Sequence, residues 1–427
     1  MKINEILKEV GKRINPSEEE LKFINKFLKN FIELVEKKFN QSKINAELFI
    51  GGSFAKKTLI KKGQYDIDIF VRFDSKYKEK DISKLTEKAI KSAKIGKIST
   101  IHGSRDYFRI NVSPLFFVEV IPVIKVKNTK DAGNITDLSY FHVGYIRKKF
   151  GEEKMLEEVR LAKAFCHATN CYGAEGYIQG FSGYALELLV LHYKGFFNFV
   201  KAMTKIRDKE IIDIEKLYKN KQEIEMNLND AKRNSPIILI DPTYKERNAL
   251  AALSKETFEK FQDICKKFVK SPSEKFFEDK KIDVGKIKEN AKKNNYEFLL
   301  LEAKTNKQEG DIAGSKLIKF YRHLSSEINK LYELKQNEFE YNGKKEAKYV
   351  FVVKKRNEII ISGPHSSDKK NVEMFKKKHR DVFTKGDRVY AREKITKKIN
   401  EFVNVWKVKN KEKIKEMGIT ELRIALS

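Results

Sequence analysis

Leu48-Phe49-Ile50-Gly51-Gly52-Ser53-Phe54-Ala55-Lys56-Lys57-Thr58 leads, through Leu59-Ile60-Lys61-Lys62-Gly63-Gln64, into Tyr65-Asp66-Ile67-Asp68-Ile69-Phe70-Val71. The stretch reads as an apolar strand, a small-residue turn, a basic helix-compatible segment and a second strand with two aspartates two residues apart. Successive strand side chains alternate faces, so Asp66 and Asp68 share one face while Ile67 and Ile69 enter the core. Two carboxylates so placed suit a pair of Mg²⁺ ions, which would clamp the attacking and leaving oxygens of an in-line phosphoryl displacement.

Working outward, Phe116-Phe117-Val118-Glu119-Val120-Ile121-Pro122-Val123-Ile124 is a further strand with one carboxylate in an otherwise apolar run. Charged residues are seldom buried without a partner, so Glu119 calls for a cation, either a metal or a basic side chain. Gly51 and Gly52 let the backbone approach a triphosphate, Ser53 offers hydroxyl and amide donors, and Lys56 adds a compact positive charge. A Walker A loop needs Gly directly before its Lys-Ser/Thr pair, whereas Lys57-Thr58 follows Lys56, which argues against a P-loop ATPase. The Gly-x-Ser-x-Gly hydrolase elbow is also missing, since Ser182 is followed directly by Gly183.

Composition narrows the substrate. Lys and Arg exceed Asp and Glu by 29 (89 minus 60), which favours a polyanionic partner and, beside a phosphoryl-transfer site, a nucleic acid. The length of 427 residues allows about two to four domains. Cys166, Cys171 and Cys265 are too sparse for a disulfide framework and fit packing in a reducing interior. Met1-Lys2-Ile3-Asn4 opens into a charged amphipathic segment, and no apolar run reaches membrane-spanning length. The expectation is a soluble cytoplasmic protein.

Asn15-Pro16-Ser17-Glu18 predicts a helix start with Asn15 as cap and Pro16 at the first helical position, followed by Leu21, Ile24, Leu28, Phe31 and Val35 on one face. Ile98 to Ile101 and Tyr107 to Val112 read as strands around a turn at His102-Gly103-Ser104-Arg105-Asp106. Ser271-Pro272-Ser273 marks a boundary. Beyond it, Tyr296 to Glu302 reads as a strand, Leu317 to Leu334 as a helix, and Tyr349 to Val353 with Glu358 to Ile361 as a hairpin. From Lys369 to Lys398 there are 12 basic and 4 acidic residues, interleaved with Phe375, Phe383 and Tyr390. Such a face could follow duplex phosphates and stack on terminal bases.

Gly51-Gly52-Ser53 followed by Asp66-Ile67-Asp68 resembles the signature of the polymerase-β-like nucleotidyltransferases. With Ala55, Lys56, Thr58, Leu59 and Gly63, the longer match resembles the archaeal, class I CCA-adding tRNA nucleotidyltransferases. Glu119 stands in Val118-Glu119-Val120-Ile121-Pro122, where that family has Val-Asp-Val-Val-Pro. Asp137-Leu138-Ser139-Tyr140-Phe141-His142 is similar to the family's Asp-Arg-Thr-Pro-Phe-His. Arg160-Leu161-Ala162-Lys163 and Tyr172-Gly173-Ala174-Glu175 resemble its triphosphate-holding neck motifs. Gly180-Phe181-Ser182-Gly183-Tyr184, with Glu187-Leu188-Leu189, resembles its neck helix. Asp241-Pro242 with Arg247-Asn248 resembles a pattern whose Arg reads the nucleobase. The resemblance is strong to about residue 250 and looser beyond, at Gly363-Pro364 and Asn371-Val372.

The resemblance implies an α+β multidomain chain: a polymerase-β-like nucleotidyltransferase head over 1–150, a helical neck over 151–270, and a basic α/β body and tail over 271–427 that binds tRNA. It implies template-independent addition of CCA to the 3′ end of tRNA from CTP and ATP, with Mg²⁺ as cofactor. Asp66, Asp68 and Glu119 would be the catalytic and metal-binding residues. Gly52, Ser53, Lys56, His142, Lys163, Tyr172 and Arg247 would hold the nucleotide. The acceptor and T arms of tRNA would be the partner; no membrane is implied, and a homodimer stays open. The alternatives are another nucleotidyltransferase of the superfamily, of poly(A) polymerase or 2′-5′-oligoadenylate synthetase type, and a catalytically weakened RNA-binding protein.

Overall fold

The computed structural model describes residues 3–103, 105–279 and 281–425, so Ser104 of the expected turn lies outside the described residues. The chain forms two compact units, Met1–Lys280 and Lys281–Ser427. Helices and sheets both build it, giving an α+β multidomain protein.

The first unit opens with helices α1 (Ile3–Ile14) and α2 (Glu18–Gln41). The cap of α2 is Ser17 and not Asn15: its hydroxyl accepts from the Glu20 amide while the Glu20 carboxylate accepts from the Ser17 amide. This reciprocal box satisfies two orphan donors at once, which an Asn two residues earlier could not do, and is worth about 1 kcal/mol. Ile24, Leu28, Phe31, Val35 and Phe39 are buried along one face of α2.

That face covers a sheet of five strands: β1 (Ala46–Ile50), β2 (Tyr65–Phe73), β3 (Ile98–Ile101), β4 (Tyr107–Asn111) and β5 (Phe116–Ile124), in the order β1-β2-β5-β4-β3. The short helix α3 (Gly52–Ala55) follows β1, and α4 (Glu79–Ala93) follows β2. The strands β2 and β5 run parallel, with Asp68 opposite Glu119. Ile67, Ile69 and Val71 from β2 and Val118 and Val120 from β5 are fully buried in one core with the α2 stripe. Alternation then leaves Asp66, Asp68 and Glu119 on the other face.

A second core gathers α5 (Ser139–Lys149), α6 (Glu153–Ala168), α7 (Gly183–Tyr193), α8 (Phe196–Met203) and a later helix, and takes in Ile6, Val10 and Ile14 of α1. Cys166, Cys171 and Cys265 are free thiols buried there among Phe165, Phe181 and Phe261. Strand β6 (Glu210–Ile212), helices α9 (Lys221–Asn227) and α10 (Asp230–Arg233), and strands β7 (Ile237–Asp241) and β8 (Tyr244–Asn248) form a small sheet in the order β6-β7-β8; α11 (Lys255–Lys270) closes this core.

The second unit contains α12 (Val284–Lys293), β9 (Glu297–Lys304), α13 (Asp311–Leu331), β10 (Tyr332–Tyr341), β11 (Glu346–Lys355), β12 (Glu358–His365), α14 (Lys369–Lys378), β13 (Asp381–Lys385), β14 (Arg388–Lys394), α15 (Ile399–Lys409), α16 (Lys411–Glu416) and β15 (Glu421–Ile424). Two sheets result, ordered β10-β11-β9-β15 and β12-β14-β13. The expected hairpin between 349–353 and 358–361 does not form. Both edges of β11 are taken by β10 and β9, so β12 pairs with β14 instead. The helix expected over 317–334 starts at Asp311 and stops at Leu331; Tyr332, Glu333 and Leu334 belong to β10, held by pairing with Lys355, Lys354 and Val353. A short apolar run fits either period, and long-range pairing decides here. The basic 369–398 segment is a helix and two strands, with Phe383 and Tyr390 stacked at 5.7 Å.

Candidate active site

The turn after β1 is tied to β2 by the Gly51 amide, which donates to the Asp68 carbonyl at 2.9 Å. Gly52 takes φ +56, and a Cβ there would lie 1.7 Å from Asp68 Oδ2. The carboxylate thus occupies the space that any side chain at position 52 would fill. Lys62 Nζ lies 3.0 Å from Asp66 Oδ1. Burial, then the charges of Asp66 and Glu119, push the Asp68 carboxyl up to about 8. Burial raises Glu119 as well, against the pull of Arg109. Glu119 Oε1 accepts from Arg109 at 3.1 Å (Nε) and 2.7 Å (Nη2), and that guanidinium lies 4.5 Å from the Phe117 ring centroid.

Among the described residues, no three His, Cys, Asp or Glu side chains converge into a ready metal-holding group. The donor set nevertheless suits a hard divalent cation. Asp66 and Asp68 offer oxygen ligands on one strand face, and the burial, with the repulsion from Asp66 and Glu119, that raises Asp68 is what a bound cation offsets.

Beside the carboxylates lies a cleft lined by Gly52, Ser53, Lys56, Thr58, Lys62, Asp66, Asp68, Lys163, His167, Tyr172 and Gly183. Seven residues singled out from sequence meet here: Gly52, Ser53, Lys56, Asp66, Asp68, Lys163 and Tyr172. Two lysines share one carboxylate. Lys56 Nζ donates to Glu187 Oε2 at 2.6 Å and Lys163 Nζ to Oε1 at 2.9 Å, while the Thr58 hydroxyl donates to Oε1 at 2.8 Å and accepts from Lys163 at 2.7 Å. Glu187 has no exposed surface. Burial works against its charge, but Lys163 and Lys56 outweigh it and hold the carboxyl down to about 2. Burial also lowers the Lys163 ammonium, which Glu187 only partly offsets. Tyr172 stacks on His167 with centroids 3.9 Å apart, and a Cβ on Gly183 would come within 2.7 Å of the Tyr172 hydroxyl. Burial and Lys62 push the His167 imidazole down to about 4.

His142 and Arg247 form a second cluster around Asp241. Asp241 Oδ2 lies 3.0 Å from His142 Nε2 and accepts from Arg247 at 2.7 Å; Oδ1 accepts from the Tyr184 hydroxyl at 3.0 Å and from the Thr243 amide and hydroxyl at 2.8 Å each. Burial penalises the Asp241 charge, yet His142 and Arg247 hold its carboxyl well below the ordinary range. Burial lowers the His142 imidazole. Tyr184 joins the clusters: its ring stacks on His142 at 4.0 Å and lies 5.7 Å below Lys56 Nζ.

Sequence reasoning gave Glu187 and Asp241 no role of their own. The signal for Glu187 was present in Ala185-Leu186-Glu187-Leu188-Leu189-Val190, a lone carboxylate in an apolar helix, and is of the same kind that drew attention to Glu119.

A parallel strand pair carrying three acids on one face, fronted by a Gly-Gly-Ser turn and a lysine-lined cleft, defines a polymerase-β-like nucleotidyltransferase. The fold agrees: the Cid1 poly(U) polymerase superposes with TM-score 0.51 at 15% identity, over 65% of this chain and 98% of that one. A cytoplasmic RNA terminal U-transferase superposes with TM-score 0.52 at 14% identity, over 66% and 99%. Residues 157–278 match the family model "tRNA nucleotidyltransferase, second domain". Residues 1–139 match the Second Messenger Oligonucleotide or Dinucleotide Synthetase domain. The CCA-adding enzyme of Methanocaldococcus jannaschii is 30% identical over 404 residues, covering 91% of this chain and 87% of that protein. That of Nanoarchaeum equitans is 43% identical over 213 residues, half of this chain and 52% of the relative. The chain belongs to the family of archaeal CCA-adding enzymes, the tRNA nucleotidyltransferases.

Proposed function

We propose that this protein adds C, C and A in turn to the 3′ end of tRNA, using CTP and ATP without a nucleic-acid template. The observation that carries this reading is the register of Asp68 opposite Glu119 on adjacent parallel strands, with Asp68, the Gly52-Ser53 turn and Lys56 lining one cleft.

Asp66 and Asp68 would hold Mg²⁺, with Glu119 completing the set. When bound, the metal supplies charge neutralisation at the attacking and leaving oxygens. The protein's own side chains do the rest. Gly52 and Ser53 present backbone and hydroxyl donors to the triphosphate, and Lys56 and Lys163 supply positive charge beside it. Tyr172, braced on His167, and His142 border the ribose and phosphates, and Arg247 offers a planar fork of donors to the base edge. The 3′-hydroxyl of the tRNA passes its proton to the Glu119 carboxylate, whose Oε1 is held by Arg109, and its oxygen attacks the α-phosphorus. A new P–O bond forms, the bond to the β-phosphate bridging oxygen breaks, and pyrophosphate leaves against the two lysines.

In the proposed division of labour, 1–150 is the catalytic head, 151–270 the neck that holds the nucleotide, and 271–427 the basic body and tail that grips the acceptor and T arms. The 38 Lys and Arg against 24 Asp and Glu in 271–427, a net charge of +14 (38 minus 24), and the stacked Phe383–Tyr390 pair, with Arg392 4.9 Å from the Phe383 ring centroid, support RNA contact by this last part. Among the described residues no helix is long and apolar enough to cross a membrane; the proposed substrate, tRNA, is what places the activity in the cytoplasm. The reading is tested with Asp68→Ala. Incorporation of CTP should vanish while tRNA binding stays within a few-fold; surviving activity would remove Asp68 from the reaction.

A further inference from the structure

We propose that Glu187 is an internal counter-ion that competes with the nucleotide's phosphates for Lys56 and Lys163, and thereby sets how readily pyrophosphate leaves. The inference rests on the reading that these two lysines face the triphosphate.

The charge count points this way. A buried ion pair meant only for stability needs one cation for its carboxylate, and a second buried ammonium adds a desolvation penalty with nothing to meet it. Here two ammonium groups, both almost fully buried, close on the two oxygens of one carboxylate at 2.6 and 2.9 Å. The excess positive charge lies at the wall of the cleft, since Lys56 and Lys163 line it together with Ser53 and Tyr172. Asp66 and Asp68 share that cleft but belong to the metal face, and Lys62 lies on Asp66. The lysine pair is therefore the part of the pocket left to an anion.

The chain positions fit a competing role. Lys56 follows the glycine turn on the head, Lys163 lies on α6 and Glu187 on α7. An ammonium has three donors: Lys56 can keep its bond to Glu187 and still donate to a phosphate, whereas Lys163 already donates to Glu187 Oε1 at 2.9 Å, Thr58 Oγ1 at 2.7 Å and the Thr58 carbonyl at 3.3 Å and must give up one of these to reach an anion. With Glu187 in place the pair offers one net positive charge; without it, two. A multiply charged anion binds more weakly to the first than to the second, and the difference acts on the departing pyrophosphate as well as on the incoming triphosphate.

The test measures pyrophosphate binding to the full chain by calorimetry in Mg²⁺ buffer at neutral pH, with steady-state CTP incorporation alongside. Glu187→Gln should bind pyrophosphate about tenfold tighter and show a lower KM for CTP together with a lower kcat, because product release slows. A purely structural glutamate would instead raise KM and leave pyrophosphate binding unchanged or weaker. Lys56→Ala, measured in parallel, separates the two layers. Weaker pyrophosphate binding in Lys56→Ala with unchanged or weaker binding in Glu187→Gln overturns the counter-ion role. Unchanged binding in Lys56→Ala overturns the assignment of the lysines themselves. Should Glu187→Gln not accumulate as folded protein, Glu187→Asp decides: it keeps the charge but draws it back by one methylene, so tighter pyrophosphate binding supports the role and equal or weaker binding overturns it.

Discussion

Gly52 and Asp68 share one volume: the aspartate's Oδ2 lies where the glycine's Cβ would be, at 1.7 Å. At φ +56 the glycine is also in the left-handed region. Gly52→Ala must therefore move either the turn or the carboxylate. The expected outcome is a loss of incorporation of more than about a hundredfold, since a misplacement of about 1 Å at a reacting centre costs that much. The melting temperature should fall only a few degrees, for about 1–2 kcal/mol of backbone strain. Steady-state kinetics with a thermal scan check both.

Lys62 lies on Asp66 at 3.0 Å with both side chains more than a third exposed. A cation entering this site has to displace that ammonium. Exposed pairs are worth up to about 1 kcal/mol, so Lys62→Ala should lower the Mg²⁺ concentration for half-maximal activity by about two- to fivefold. A magnesium titration of both proteins reads this directly, and a rise in the required concentration would show that Lys62 assists the site.

Asp241 fixes Arg247 and His142 through the same oxygen, at 2.7 and 3.0 Å. Asp241→Asn keeps the shape but removes the charge that aims both groups. KM for CTP and for ATP should rise together by about tenfold or more, for a charge-assisted bond worth about 1.5–3 kcal/mol, with tRNA affinity unchanged. A rise for one nucleotide alone would place Arg247 in selection between bases.

Acid should act on the Glu187 cluster in a defined window. The folded carboxyl sits at about 2, below its ordinary value near 4.5, so its pairing stabilises the fold above about pH 4.5 and is lost as pH falls toward 2. Denaturant melts of the wild type and Glu187→Gln should differ most near neutrality, and that difference should shrink from pH 4.5 downward. A gap that widened in acid would reverse the assignment.

What was legible in the sequence is what local period writes. Asp66-Ile67-Asp68 fixes its faces by alternation, and Glu119 stands out in an apolar run; both strands form as read. The Ser17 cap was within reach too, since Glu20 follows it at capping-box spacing, but the Asn-Pro pair two residues earlier gave a competing signal. The rest depends on pairing at a distance. Glu187 meets Lys56 across 131 positions, and Asp241 meets His142 across 99. No short window shows that these carboxylates hold Lys56 and Lys163 on one side and His142 and Arg247 on the other. The expected hairpin after Tyr349 failed for a similar reason: which edges of β11 were free depended on β9 and β10.

Stepwise CCA addition is read with three tRNA substrates, ending before CCA, after C and after CC, each given labelled CTP or ATP singly, beside an unrelated oligonucleotide. CTP should extend the first two, ATP only the third, synthesis should stop at CCA, and the oligonucleotide should remain unextended. Long A tails on any RNA, or no incorporation with salt-sensitive tRNA binding retained, would contradict stepwise CCA addition.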